Sequence, residues 1–139
     1  MEFSLRKPSD KEFQSICDYI KEVELDNRDL KKEQFVLAAE GNQLLGFGRL
    51  RKHADCTELC SLGVVMPHRM KGIGKAIVQE LLKGSTDAVF LVCIIPDFFT
   101  PLGFRITEQF PASIKDKIAY CTQELVVPET YVAMVFQKP

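Results

Sequence analysis

Few histidines, no Cys-x-x-Cys pair and no long apolar run are the first features of this 139-residue chain. Two histidines leave little from which to build a His-rich metal centre. Five cysteines, an odd number without paired spacing, fit neither a disulfide scaffold nor a structural zinc site. No metal is expected. Positive charge is not in excess either: 18 Lys and Arg stand against 19 Asp and Glu, a formal net charge of -1. There is thus no overall basic field to hold nucleic acid or acidic lipid, and neither is an expected partner. Apolar runs such as Ala88 to Ile95 are far below the roughly 20 residues that span a bilayer. Met1-Glu2-Phe3-Ser4 lacks the basic-then-apolar pattern of an export signal. What is present, 46% hydrophobic and 27% charged residues, suits one globular core. The expectation is a single domain over 1–139, soluble and in a reducing, cytoplasmic compartment.

Periodicity predicts a mixed α+β sheet with helices on both faces. Phe3 to Arg6 alternates as a half-buried strand does. Ser9 and Glu12 form a capping box for a helix whose apolar face is Phe13, Ile16, Cys17, Ile20 and Val23. Asn27 to Gln34 is charged and reads as a short helix or loop. Phe35–Ala39 and Leu44–Leu50 read as a hairpin turning at Glu40-Gly41-Asn42-Gln43. Cys56 to Val65 is a further strand. Ile73, Ala76, Ile77 and Leu81 mark a helix that Lys83-Gly84 ends. Ala88 to Ile95 suits a central strand covered on both faces. Pro96 to Gly103 holds one helical turn, Phe104 to Ile106 a short strand, and Tyr131 to Phe136 a last strand that could extend a sheet across two subunits of a homodimer.

The most informative segment is Val64-Val65-Met66-Pro67-His68-Arg69-Met70-Lys71-Gly72-Ile73-Gly74-Lys75. A strand runs into a turn with two glycines, and an amphipathic helix starts there. Glycines let backbone N–H groups approach a ligand, and the first helical turn offers unpaired donors at a positive dipole end. Arg69, Lys71 and Lys75 crowd that end, where cations cost roughly 0.3–1 kcal/mol each. An anionic ligand resolves the conflict. A P-loop is excluded, because Arg69 stands at its first glycine position and Ala76 follows Lys75. A dinucleotide fingerprint is excluded by Ile77 at its third small position.

Arg69-x-x-Gly72-x-Gly74 resembles the Arg/Gln-x-x-Gly-x-Gly/Ala signature of the GNAT superfamily of N-acetyltransferases. Thr57 to Val64 resembles the strand before that signature, and Phe98-Phe99-x-x-x-Gly103-Phe104 the family's later aromatic segment. The tail with Lys115, Tyr120 and Cys121 is similar to amino-acid acetyltransferases of the acetylglutamate-synthase type. The resemblance implies the acyl-CoA N-acyltransferase fold, with a mostly antiparallel central sheet, and direct transfer of acetyl from acetyl coenzyme A, the co-substrate, to a small-molecule amine. It implies that the backbone of Leu62, Gly63 and Val64 aligns the pantetheine arm. Arg69, Met70, Lys71, Gly72, Ile73, Gly74 and Lys75 would hold the pyrophosphate. Cys93 would flank the acetyl group, and Phe98 and Phe99 would pack on the coenzyme. Glu58 falls at the catalytic glutamate position, where partial burial would raise its proton affinity for the base role. The family's usual tyrosine acid is replaced by Phe98 and Phe99, and Pro101 departs from the helix usual there.

Each reading has a plainer competitor. Glu58 reads equally as a solvated acid at a strand end, and the Phe98-Phe99 pair as core. Cys60 and Cys93 suit buried small hydrophobes better than acetyl-cysteine nucleophiles. His68 suits a loop position beside a phosphate. Arg49 and Arg51, at i and i+2, point to an acceptor carboxylate or to a solvated strand face. Lys115 and Lys117 read as solvent-facing charges, and Glu22 to Asp26 as an acceptor-side acidic patch or a helix surface. A non-catalytic acyl-CoA-binding regulatory module and a small partner-binding domain are the competing functions.

Overall fold

A computed structural model of the chain describes residues 3–65 and 72–138. Arg69, Met70 and Lys71, and His68 with them, lie outside the described residues. The strands hydrogen bond in the order β1-β2-β3-β4-β5-β7-β6, numbered along the chain. Pairing is antiparallel for β1–β2, β2–β3, β5–β7 and β6–β7 and parallel for β4–β5, which makes the sheet mixed, as the order of elements along the chain predicts. The chain divides into two compact units, Met1–Leu50 with Cys60–Gly84 and Arg51–Leu59 with Ser85–Pro139.

The first unit holds β1 (Ser4–Arg6), α1 (Asp10–Val23), β2 (Phe35–Glu40), α2 (Ile73–Lys83), most of β3 (Gln43–Lys52) and the second half of β4 (Thr57–Val64). Helix α1 begins where its capping box predicts: Glu12 N–H donates to Ser9 Oγ at 3.2 Å and Ser9 N–H to Glu12 Oε1 at 2.9 Å. Its apolar face buries Ile16 and Ile20 completely against Phe35, Leu37, Ala39 and Phe47. Each such isoleucine contributes about 2–3 kcal/mol by burial. Val23, the last residue of the stripe, is exposed. The charged 27–34 stretch resolves into a single 3-10 turn, Lys32–Gln34.

Helix α2 lies tight against β3 because β3 is glycine there. A Cβ on Gly46 would meet Gly63 O at 3.0 Å and Ile77 Cδ1 at 3.1 Å. One on Gly48 would meet Leu62 at 3.1 Å and Ile77 at 3.2 Å. Side chains at either place would lift the helix off the sheet, so these two glycines fix where α2 starts.

The second unit holds β5 (Val89–Cys93), α3 (Pro96–Phe99), β6 (Arg105–Ile106), α4 (Ala112–Glu124) and β7 (Val132–Phe136), with the ends of β3 and β4. Two expectations change here. Strand β5 is shorter than its apolar run, and Phe90, Val92 and Cys93 are only half-buried, so it is not covered equally on both faces. Ile95 leaves the strand to precede Pro96, which starts α3 at the helix position where a missing N–H costs nothing. Helix α4 is the element the sequence pattern conceals. Its buried face is Ile114, Lys117 and Cys121, and a lysine in the middle of that row breaks the apolar period. Its cap, Pro111, supplies no side-chain hydrogen bond. Strand β7 pairs along its length with β5 and at Val135 and Met134 with β6, so it is an interior strand here rather than a free edge.

Candidate active site

Helix α2 begins without a side-chain cap and with no acid in its first turn. Gly72 takes the N-cap position at φ +77°, a conformation L side chains avoid, and its Cβ position opens on empty space. The first intrahelical bond runs from Ala76 N–H to Gly72 O at 3.1 Å, which leaves the N–H groups of Ile73, Gly74 and Lys75 at the uncapped end. Ile73 and Gly74 are buried by packing, while Lys75 is exposed and carries a positive charge at that end. Uncapped donors, a dipole and a cation together favour a bound phosphate.

Strand β4 ends beside this feature in the same unit. Leu62, Gly63 and Val64 are half-buried. Gly63 is dictated by packing, because a Cβ would sit 2.8 Å from Phe47 Cζ. Immediately before them Ser61 has φ +53°, an unusual value for a side-chain-bearing strand residue. Its hydroxyl donates to Asp26 O at 2.7 Å and accepts from Arg49 Nε at 2.9 Å, which holds the distortion in place. Tyr19 on α1 brings its hydroxyl to within 3.5 Å of Val64 O.

Arg49 differs from its expected role. It is fully buried, and its five N–H donors are all used. Nε serves Ser61, Nη1 serves Asp29 O and Gln34 Oε1, and Nη2 serves Asp26 O and Arg28 O, at 2.9–3.3 Å. No donor remains for a substrate carboxylate, so Arg49 is neither an acceptor-binding group nor a solvated strand residue. Arg51, in the second unit, is half-buried.

Glu58 is also fully buried, more deeply than the partial burial its base role anticipates. His53 Nε2 lies 2.8 Å from its Oε1, and Lys117 Nζ lies 3.0 Å from its Oε2. The Lys117 contact is an ion pair whose direction misses hydrogen-bond geometry, so Oε2 accepts no hydrogen bond despite its burial. Lys117 is only 4% exposed, which corrects its reading as a solvent-facing charge; Lys115 is exposed as expected. The link between β4 and α4 is invisible to local pattern because Glu58 and Lys117 lie far apart in the chain.

Cys93 is half-buried, and burial raises its thiol above the usual range. That keeps it protonated and fits a small hydrophobe rather than a nucleophile. Phe99 is 5% exposed and stacks edge-on with Phe104, which in turn packs on Phe136. It is core, the plainer of the two readings its sequence position allows. Phe98 keeps 37% of its surface and is the member of the pair with a face left for a ligand.

The model of the Acetyltransferase (GNAT) family matches residues 3–95, well over half of the chain, and the chain belongs to that family. It has the acyl-CoA N-acyltransferase fold. Among solved structures it is similar to the N-acetylglutamate synthase of Neisseria gonorrhoeae complexed with coenzyme A and L-arginine, with TM-score 0.75 and 17% identity. That match covers 97% of this chain and 33% of the other, so this chain spans a third of the gonococcal enzyme. Rv2747 from Mycobacterium tuberculosis, in complex with CoA and NLQ, gives TM-score 0.75 and 17% identity over 98% of this chain and 99% of that one. Escherichia coli ElaA gives TM-score 0.71 and 14% identity over 98% and 99%. At these identities the likeness is one of fold. Among the described residues no helix is long and apolar enough to cross a membrane.

Proposed function

We propose that the protein is an N-acetyltransferase that moves the acetyl group of acetyl coenzyme A directly to a primary amine of a small molecule. The observation that carries the reading is the start of α2, glycine-led, uncapped and free of acids. In this reading Arg69 to Lys75 cradle the pyrophosphate, with Arg69, Met70 and Lys71 assigned by the family signature. The Leu62–Val64 backbone aligns the pantetheine arm and thioester, and Phe98 packs on the coenzyme. Glu58, at the family's catalytic strand position, takes a proton from the ammonium by way of water so that the amine can attack. Attack forms the C–N bond and expels the thiolate, which takes the amine's second proton through water. The hydroxyl of Tyr19, beside Val64, is a candidate donor for that step. An amino acid is the favoured acceptor, on the likeness to N-acetylglutamate synthase. Because Arg49 is saturated, an acceptor carboxylate would need another cation, and Arg51 is the candidate. A reducing, cytoplasmic setting belongs to the proposal and agrees with five free thiols.

The first test is the thermal shift of dialysed protein with acetyl coenzyme A, using NADH and ATP as phosphate-bearing controls. Ligand at 100 times its dissociation constant stabilises the fold by about 2.7 kcal/mol, several degrees for a domain of this size. Gly72→Asp places a side chain in a left-handed position and a negative charge in the phosphate site, and the shift should disappear while the fold persists. An unchanged shift in that variant removes the cradle assignment. A shift without turnover on any amine indicates an acyl-CoA-binding regulatory module instead.

A further inference from the structure

Acetylation of an ammonium releases one proton for each turnover. The ammonium gives up two N–H bonds; one proton ends on the coenzyme thiol and the other must reach solvent. If Glu58 collects that second proton, its side chain, which has no exposed surface, passes it on through the groups it touches. Among the described residues, His53 connects Glu58 to a solvent-filled space. His53 Nε2 stands 2.8 Å from Glu58 Oε1, and the imidazole retains 16% exposure. It lines a cavity of about 370 Å³ in the second unit, at the turn that joins β3 to β4. That turn is fixed by a hydrogen bond from His53 N–H to Cys56 O at 2.8 Å.

We propose that His53 is a proton-relay residue, which takes the proton from Glu58 through Nε2 and releases it to water in this cavity, returning Glu58 to its carboxylate form. The proposal rests on the acetyl-transfer reading and adds to it a residue and an exit. The charged groups around the imidazole suit the role. Glu58 from β4 stabilises the imidazolium while it carries the proton, and Lys117 from α4 balances the carboxylate from the other side. Water in the cavity is the acceptor; Lys52 and Asp87 share its lining with Asp55, whose carboxyl the Ser113 hydrogen bonds hold below the usual range. Cys56, in the same lining, takes no part, because burial and the Asp55 hydrogen bond push its thiol up to about 12. Histidine is the side chain whose ordinary proton affinity permits both uptake and release near neutrality.

The test is steady-state kinetics with acetyl coenzyme A on the best of four amines: L-glutamate, L-lysine, spermidine and a peptide with N-terminal alanine. His53→Gln retains a donor toward Glu58 and cannot relay. Its kcat should fall about tenfold to a hundredfold with both KM values near wild type. His53→Ala opens space for added imidazole, which should restore kcat at least several-fold in a concentration-dependent way. A folded His53→Gln with wild-type kcat overturns the relay and leaves acetyl transfer standing. A loss in both variants that imidazole does not repair also overturns it, assigning His53 a structural role. Absence of turnover by the wild type on all four amines overturns acetyl transfer and the relay together.

Discussion

The two units each bury a cation, and they treat it differently. In the first, Arg49 gives its five donors to a hydroxyl, an amide and three backbone carbonyls. In the second, Lys117 and His53 flank a single carboxylate, one oxygen of which accepts no hydrogen bond. A guanidinium whose five donors are all used, and which does not itself lose a proton, has none to exchange, so its work is to hold shape. The Lys-Glu-His set is built from groups that can each gain or lose a proton. Burial alone therefore does not separate a structural charge from a chemical one, whereas coordination does.

The largest expected effect comes from breaking the saturated site. Arg49→Met removes the donor that Asp26 O, Arg28 O, Asp29 O, Gln34 and Ser61 share and should cost about 3–5 kcal/mol, a fall in Tm of about 10 °C or more. Calorimetry checks this, and Arg49→Lys should recover little, since an ammonium cannot match the planar fork. Lys117→Met leaves Glu58 with His53 alone and should cost about 2–4 kcal/mol. The double variant Glu58→Leu/Lys117→Met should regain most of that stability, because an apolar pair replaces a buried ion pair at little cost, yet remain without turnover. Recovery of activity together with stability would make the second site structural too.

Smaller effects sharpen the picture. Gly46→Val overpacks the β3–α2 contact and should cost about 1–3 kcal/mol while weakening coenzyme binding; a weakened affinity without loss of stability would contradict the packing account. Ser9→Ala removes one half of the α1 capping box and should cost about 1 kcal/mol with no effect on binding. The smallest is chemical. The Cys56 thiol is raised from 9.0 to about 12, chiefly by burial and then by Asp55. The neutral thiol is the form the fold favours, so its contribution is complete below pH 9 and lost as pH rises through about 12. Peptide mapping after iodoacetamide at pH 8 should find Cys56 protected in folded protein and reactive once unfolded.

What the sequence reveals and conceals follows from distance along the chain. The α1 cap, the hairpin at Gly41 and the glycine-led start of α2 are local patterns, and each is where the residues predict. Arg49 finds its partners 12–23 residues away, and nothing in an arginine on a strand distinguishes burial from exposure. Lys117 conceals α4 for the same reason, since the residue that ties the helix to the second unit's buried carboxylate is the one that spoils its apolar row. No local pattern singles out His53; only the fold brings its ring to Glu58.

The glycines of β3 have a consequence for anyone who would graft the turn proposed to bind the pyrophosphate onto another scaffold. The start of α2 is placed by Gly46 and Gly48 beneath Ile77, some thirty residues earlier in the chain. The Gly72–Lys75 segment is therefore not a portable module. Transplanted without its two-glycine seat, it would keep its sequence and lose its position.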